Sequence, residues 1–574
     1  MSTFDVSNAG FNPNLRRLET TDRAHADVFN VLFDQLINND VAIMEAASSM
    51  FSTKNAQAAF LLNLHKDGKK YGVHFDDFAI NPSPIGTRLH DAAGMVAYPS
   101  TDTVRAQNDF EGVSVFYHIE VNGYVDSDGE FQVQYIRGID DEFSLTGADV
   151  WCLFLPQWIS ITIDAYGENK VLSDTRFDGS FVEGGAIRTD GTIRPFVAIA
   201  KYQDSAASNA APNSVSGASP SYNNSHNSLI TKMRLKGGDD QYCATTFQDV
   251  ERMNNLFDVA FATRDSQSVM GGTTPYNYQY PASVVETGVE HIVITKAQAA
   301  NLVVGSCVSI GNATALNADG TAGNIDRAQA GMHAKANRVK IVSIEEYDEN
   351  NSTVTVDNGG TTFSTASTTI SSVECPTYIT TMPWWTGSCD GVLGSCGSFN
   401  SNTSKKCPYV LFGVEMALGQ YEVCGNAVMK IESHVMNPYV CYDCTDLSSS
   451  APTGDYEQVG YDIADTQASW KYISKLGFDA DHPMCRYGTE VDATSTTGYA
   501  DAQYTEKLDV TNDGSREILL FGAVFAGAYY GRRFAYLYIG LSIAGWYYGA
   551  RLSASGFGKD PERAKALKAL GYDA

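Results

Sequence analysis

The sequence predicts an α+β protein rich in strands, and three observations carry that expectation. Short runs alternate apolar and polar residues with period 2, as at Phe131, Val133 and Tyr135 and again at Ile159, Ile161 and Ile163. Helical spacing is confined to a few stretches, near residues 28–43 and 250–260. The 574 residues, 43% hydrophobic with 50 glycines, describe a loop-rich globular chain large enough for three or four substructures.

Taken in order, Thr20, Thr21 and Asp22 form a helix-start signal, after which Val28, Leu32, Leu36, Asn39 and Ile43 make an apolar stripe with one polar member. The stripe suits packing on symmetry mates, with Asn39 setting register, and equally packing on its own domain. No basic region followed by an apolar run opens the chain, so no signal peptide is expected. From Tyr71 the text becomes strand-like. Asp126, Asp128 and Glu130 around Gly129 supply only part of a calcium loop and read as a hairpin turn. Gln203 to Ser228, rich in Ser, Ala and Asn, reads as a long exposed loop. Val250, Met253, Leu256, Phe257 and Val259-Ala260 have helical spacing. Residues 284–376 are strands separated by Asn-Gly, Asp-Gly and Ser/Thr turns, the pattern of an inserted all-β module. Lys559 to Ala574 closes the chain as a short charged helix.

Composition excludes several functions. A net charge of −27 argues against nucleic acid, whose phosphates need a cationic surface. Eleven cysteines between Cys152 and Cys485 are not the dense even framework of a small secreted domain; buried thiols are expected for most, with a disulfide or two as the alternative. Cys441-Tyr442-Asp443-Cys444 has metal-knuckle spacing but lacks a second pair, so neither metal nor cofactor is expected. There is no HExxH, P-loop, G-x-S-x-G or Rossmann glycine string, the ten histidines are scattered, and among 67 carboxylates no catalytic pair stands out.

The segment Arg516 to Gly556 is the most unusual. Ten aromatic residues lie between Phe521 and Tyr548, interleaved with glycines, and no Asn, Gln, Asp or Pro occurs. A membrane hairpin is one arrangement, but neither apolar arm reaches the ~20 residues of a spanning helix. Buried core is a second, at the cost of finding a partner for six tyrosine hydroxyls. A recognition surface is the third, because Tyr and Trp give large, rigid, amphipathic contact area, with Gly522, Gly527, Gly531, Gly540, Gly545 and Gly549 making the turns.

This segment resembles the variable region of proteins diversified by a diversity-generating retroelement, with a C-type lectin fold of the formylglycine-generating-enzyme type. Gly527, Gly531, Leu537, Trp546 and Gly549-Ala550-Arg551-Leu552 match the framework of that family. Phe525, Ala526, Tyr529, Tyr536, Tyr538, Ile539, Ile543, Gly545 and Tyr547 fall where the family usually carries Asn at mutagenised codons. The first framework Trp is replaced by Val524 or Phe525. Other stretches are similar to phage proteins of this group: Tyr71-Gly72-Val73, Thr87-Arg88, Asp91-Ala92 and Gly94-Met95; Phe261 to Met270 after a helix that packs on the central sheet; and Trp385-Thr386-Gly387, Gly413-Val414-Glu415, Gly419 and Tyr421-Glu422. The run from Thr20 to Asp40 resembles virion-attachment segments of phage tail or fibre proteins.

The resemblance implies an attachment segment at 1–60, a lectin-like domain at 61–283 and 377–558 interrupted by the module at 284–376, a variable region at 516–556 and a tail at 559–574. It implies a non-enzymatic receptor-binding protein of a phage tail or head fibre. This would be a homotrimer on the virion, released by lysis, bound to other virion proteins through its N-terminal segment and to a bacterial surface protein or glycan through the variable face. Phe525, Tyr529, Tyr536, Tyr538, Ile539, Ile543 and Tyr547 would make contacts, with Arg532 and Arg533 free to pair with acidic groups, while Trp546 and Tyr548 pack inward. The family's oxidase uses two cysteines near its C-terminus, and this chain has none after Cys485. The other readings are a structural virion protein with an assembly interface in this segment, and a polysaccharide-depolymerising spike.

Overall fold

Short alternating runs pair into nine sheets among the described residues, nearly all antiparallel, with few helices between them. A computed structural model describes residues 33–34, 36–41, 43, 53–77, 85–188, 192–238, 241–322, 326–463, 468–508 and 510–554. Contacts divide the chain into Met1–Leu61 and Leu62–Ala574. In the first unit, the described residues between 33 and 43 are helical and leave Leu36 and Ile43 exposed, with Asn39 buried. Val28 and Leu32, the helix-start signal and the terminal helix from Lys559 lie outside the described residues. Helix α1 (Lys54–Asn63) follows.

The second unit is built on two antiparallel sheets. The first orders Thr87–His90, Tyr71–Asp76, Gly167–Ser173, Trp158–Asp164 and Phe181–Val182. The second orders Cys243–Ala244, Arg551–Ser553, Val197–Gln203, Val150–Phe154, His118–Val125 and Phe131–Ile136, so the last described strand of the chain lies inside a sheet whose other members come far earlier. The predicted hairpin at Gly129 joins its last two strands, with Asp126 Oδ1 accepting from the Asp128 and Glu130 amides at 2.9 and 3.0 Å.

Helix α2 (His226–Gly237) starts at Ser225, which makes a capping box with Ser228. Helix α3 (Phe247–Phe261) carries the spacing seen at Val250 to Ala260. Thr246 caps its start and Ala262, at φ 50°, ends it in the left-handed region. It packs on Tyr71–Asp76 and Gly167–Ser173, and its apolar face joins Phe154, Val197 and Ile199 of the second sheet in one core.

Residues 279–381 include a six-stranded antiparallel sheet whose first and last strands in sequence, Gln279–Pro281 and Thr377–Thr381, lie outside the bounds 284–376 expected of a module. Its core contains Val524 and Trp546 of the aromatic segment 516–556, so the two are packed together.

The loop Gln203 to Ser228 departs from expectation. It is irregular from Asp204, but Asp204, Ser214, Ser221 and Asn224 are buried. Its small polar groups find partners inside: the Lys232 ammonium of α2 donates to the Asp204 carboxylate, to Ser221 Oγ at 2.6 Å and to the Ala206 carbonyl at 2.8 Å. All eleven cysteines are buried free thiols, so the disulfide alternative is not seen. No helix among the described residues is long and apolar enough to cross a membrane.

Candidate functional site

Two strands place the segment 516–556. Leu519–Leu520 enters it and Arg551–Ser553 leaves it, both wholly buried. Between them, Ala535–Leu537 pairs with Leu519–Leu520 on one side and, in parallel, with Ala502–Thr505 on the other; Trp470–Tyr472 pairs with Ala502–Thr505 beyond that.

The period of 2 sorts these strands into two faces. Ala535 and Leu537 point inward and are buried, as are Gln503 and Thr505. Tyr536 and Tyr504 point outward, and the registers set Trp470 opposite Tyr504 and Tyr504 opposite Tyr536. The result is a row of half-buried rings across three strands. Ring centroids of Trp470 and Tyr504 are 4.9 Å apart, those of Tyr504 and Tyr536 5.2 Å, and Tyr538 closes on Tyr504 at 5.4 Å. Tyr529, from the single turn Gly527–Tyr529, stacks on Trp470 at 4.9 Å and 11° and reaches Tyr472 at 5.7 Å. Phe525 and Tyr547 form a second group, edge to face at 4.8 Å. Buried Tyr421 joins both, 6.1 Å from Tyr536 and 5.5 Å from Tyr547. Each such pair adds about 0.5–1.5 kcal/mol beyond area burial, which makes the array stiff.

Among the described residues, the hydroxyls of Tyr504, Tyr529, Tyr536 and Tyr538 have no hydrogen-bond partner. Burial, reinforced by neighbouring tyrosines, raises the Tyr536 and Tyr504 hydroxyls above the ordinary tyrosine value, so they remain neutral donors. Stiff rings with uncommitted hydroxyls can stack on a ligand and hydrogen-bond at its edge.

The other expected site residues divide. Phe525 is 36% and Ile543 50% exposed, and Ala526 is partly exposed. Ile539, Ile543 and Gly545 lie on the turn after Tyr538 rather than in the ring array; the Ile539 carbonyl accepts from the Glu517 amide at 2.8 Å and that of Gly545 from Asn223 at 2.9 Å. Trp546 and Tyr548 are buried, as expected of them.

Arg532 and Arg533 correct the reading that made them ligand contacts. Both are buried. Arg532 donates to Asp258 Oδ1 and Asn254 Oδ1, each at 2.7 Å, with its guanidinium 3.6 Å from the Phe257 ring centre. Arg533 pairs with Glu251 and, at 3.1 Å, with Asp258, which also holds Lys170 at 2.7 Å. Burial alone would raise the Asp258 pKa, but Lys170, Arg532 and Arg533 outweigh it and hold the carboxyl well below the usual range. The acidic groups these arginines were expected to meet are those of α3.

The remaining framework residues pair with one another across the chain. Arg551 donates to Glu422 at 2.9 and 2.6 Å. Glu415 accepts from the Gly387 and Cys389 amides, both at 2.9 Å. In the block Phe261 to Met270, Ser266 Oγ accepts from the Arg532 amide at 3.2 Å and Gln267 donates to the carbonyls of Ala528, at 3.1 Å, and Tyr530. Gly522, at φ +97°, has its would-be Cβ 1.0 Å from the Tyr530 ring, and that of Gly531 lies 1.7 Å from Asp501 Oδ1. Here glycine serves close packing as much as turning.

Trp470, Tyr472 and Tyr504 were not singled out in the sequence. They come from strands well before the variable segment, and only strand pairing brings them beside it. The site is thus an aromatic face on a buried polar framework, within a mixed, mostly antiparallel β protein. No family model matches the chain, and no curated protein sequence matches it either.

Proposed function

We propose that the protein is a non-enzymatic receptor-binding component of a phage particle that presents this aromatic face to a ligand on a bacterial surface. The observation that carries the reading is the division of the variable segment. Positions matched to mutagenised codons supply Phe525, Tyr529, Tyr536, Tyr538 and Tyr547 to the half-buried array, whereas Arg551, Gly531 and Trp546, matched to the framework, are held by the core. A segment built to vary needs this division, because side chains that hold the fold cannot change freely. The pairing of Glu422 with Arg551, and of Glu415 with the backbone after Trp385, also joins stretches that the lectin-type resemblance links. On this reading the domain has the formylglycine-generating-enzyme type of C-type lectin fold, the N-terminal segment docks it to the virion as a trimer, and multivalent display strengthens weak single sites.

An assembly interface would use the same face. Binding of the purified protein to candidate host cells, with a Tyr529→Ala/Tyr536→Ala/Tyr547→Ala variant as control, tests the receptor reading. Loss of binding with an unchanged melting temperature supports it. Binding that survives in the folded variant refutes it, as does finding the face covered by another virion protein in purified particles.

A further inference from the structure

Beside the variable segment, along the edge strand of the inserted module, lies a groove of about 420 Å³, within the ~300–1,000 Å³ range of small-ligand sites. Its lining combines three kinds of group. Tyr278 and Tyr280 are stacked with ring centroids 5.6 Å apart, and Trp546 contributes a third aromatic wall. Asn277 offers an exposed side-chain amide, and Gln279 lines the groove beside it. The third group is Arg327, 8% exposed, held by Nε donating to the Thr381 carbonyl at 3.1 Å and lying 5.2 Å from the Trp546 ring centre.

Arg327 is unusual in this protein. Arg252, Arg486, Arg532, Arg533 and Arg551 are equally buried, and each holds a carboxylate of its own chain. Among the described residues Arg327 has no carboxylate within 4 Å. Asp326, next to it in sequence and also lining the groove, commits Oδ1 to the Ala328 amide at 2.8 Å. Arg264 and Arg338 also lack carboxylate partners but do not line this groove; they lie over the rings of Phe75, Tyr499 and Tyr222. Arg327 Nη2 also reaches Thr381 Oγ1 at 3.5 Å and the Asp326 charge acts on the guanidinium, but no carboxylate closes on its planar fork, whose geometry matches one.

We propose that this groove binds a carboxylate-bearing sugar, with Arg327 taking the carboxylate, the aromatic walls the apolar face of the pyranose, and Asn277 a hydroxyl. The inference goes beyond the receptor reading and stands on the groove alone, so it survives if the aromatic face proves to be an assembly interface.

Saturation-transfer NMR and calorimetry on the full chain test it, with a galacturonic acid trimer and N-acetylneuraminic acid as probes and the neutral galactose trimer as control. Transfer is expected from an acidic probe at about 10 mM, a concentration that reveals even weak single-site binding, with the neutral trimer at least roughly tenfold weaker. Arg327→Gln should weaken binding by a similar factor. Asn277→Trp, which fills the groove from an exposed position, should abolish it even if Arg327→Gln fails to fold. Tyr529→Ala/Tyr536→Ala should leave it unchanged. Absence of transfer from both acidic probes, equal binding of the neutral trimer, or full binding by Asn277→Trp would each overturn the proposal.

Discussion

Tyr529 and Tyr530 are neighbours in the chain with opposite surroundings. Tyr529 stacks on Trp470 at the surface with its hydroxyl uncommitted, whereas Tyr530 is fully buried and its hydroxyl accepts from the Ala523 amide. The contrast extends to the whole segment. One half is an aromatic face held by ring contacts, and the other is a polar anchor held by charge-assisted hydrogen bonds to α3, Glu422 and Asp501. An aromatic face tolerates exchange because each contact is modest and non-directional. The anchor does not, because removing one partner strands the rest in a medium of low dielectric.

That comparison orders the expected effects of mutation. The largest belongs to Arg533→Ala, which leaves Glu251 and Asp258 short of a counter-charge and should cost about 3–5 kcal/mol by urea denaturation. A cost no greater than that of a surface tyrosine would erase the distinction between anchor and face. Gly522→Ala comes next: the added methyl meets the Tyr530 ring at a φ that disfavours side chains, and a loss of at least about 1–3 kcal/mol is expected.

On the outward half, Tyr536→Ala should cost about 1–3 kcal/mol, less than Arg533→Ala, because its four ring contacts are modest and only half-buried. Its effect on ligand binding should be far larger than its effect on stability. A double-mutant cycle with Trp470→Ala would sharpen this, since coupling is expected between rings 5.6 Å apart.

The remaining effects are pH-dependent and distinguish paired from unpaired buried acids. Burial pushes the Glu517 carboxyl up to about 8; one oxygen accepts from the His226 amide at 2.8 Å and the other has no partner. A raised carboxylate pKa means that the fold holds the proton more tightly than the unfolded chain. Its stabilisation is therefore present below the ordinary glutamate value and lost as pH rises through about 8. Glu517→Gln should raise the melting temperature relative to wild type above that pH and change it little in acid. Glu168 behaves oppositely. Burial is outweighed by Arg486, which donates to it at 3.0 and 2.8 Å, and its pKa falls to about 2. That stabilisation is present above the ordinary glutamate value and lost as pH falls towards about 2, so Glu168→Gln should be most harmful near neutrality. Parallel pH profiles for the two variants would show that pairing does not control these acids.

Much of the fold was legible wherever the signal is local. Period-2 runs became strands, the spacing from Val250 to Ala260 became α3, and Gly129 became a hairpin turn. The aromatic concentration of 516–556 was also legible, because its composition is unlike the rest of the chain. The failures share one cause. Arg532 and Arg533 read as surface charges because their partners lie on α3, and the loop from Gln203 read as exposed because Lys232 and its other partners lie beyond it. Trp470, Tyr472 and Tyr504 carried no sign of belonging to the site.

The sequence by itself determined which stretches alternate, which coil, and where the aromatic residues concentrate, since propensity and periodicity act over a few neighbouring residues. Only the tertiary structure decided which of those aromatics face out, what the arginines pair with and which distant strands complete the site. Those outcomes depend on strand register and on the burial of charge, which are properties of residues far apart in the chain.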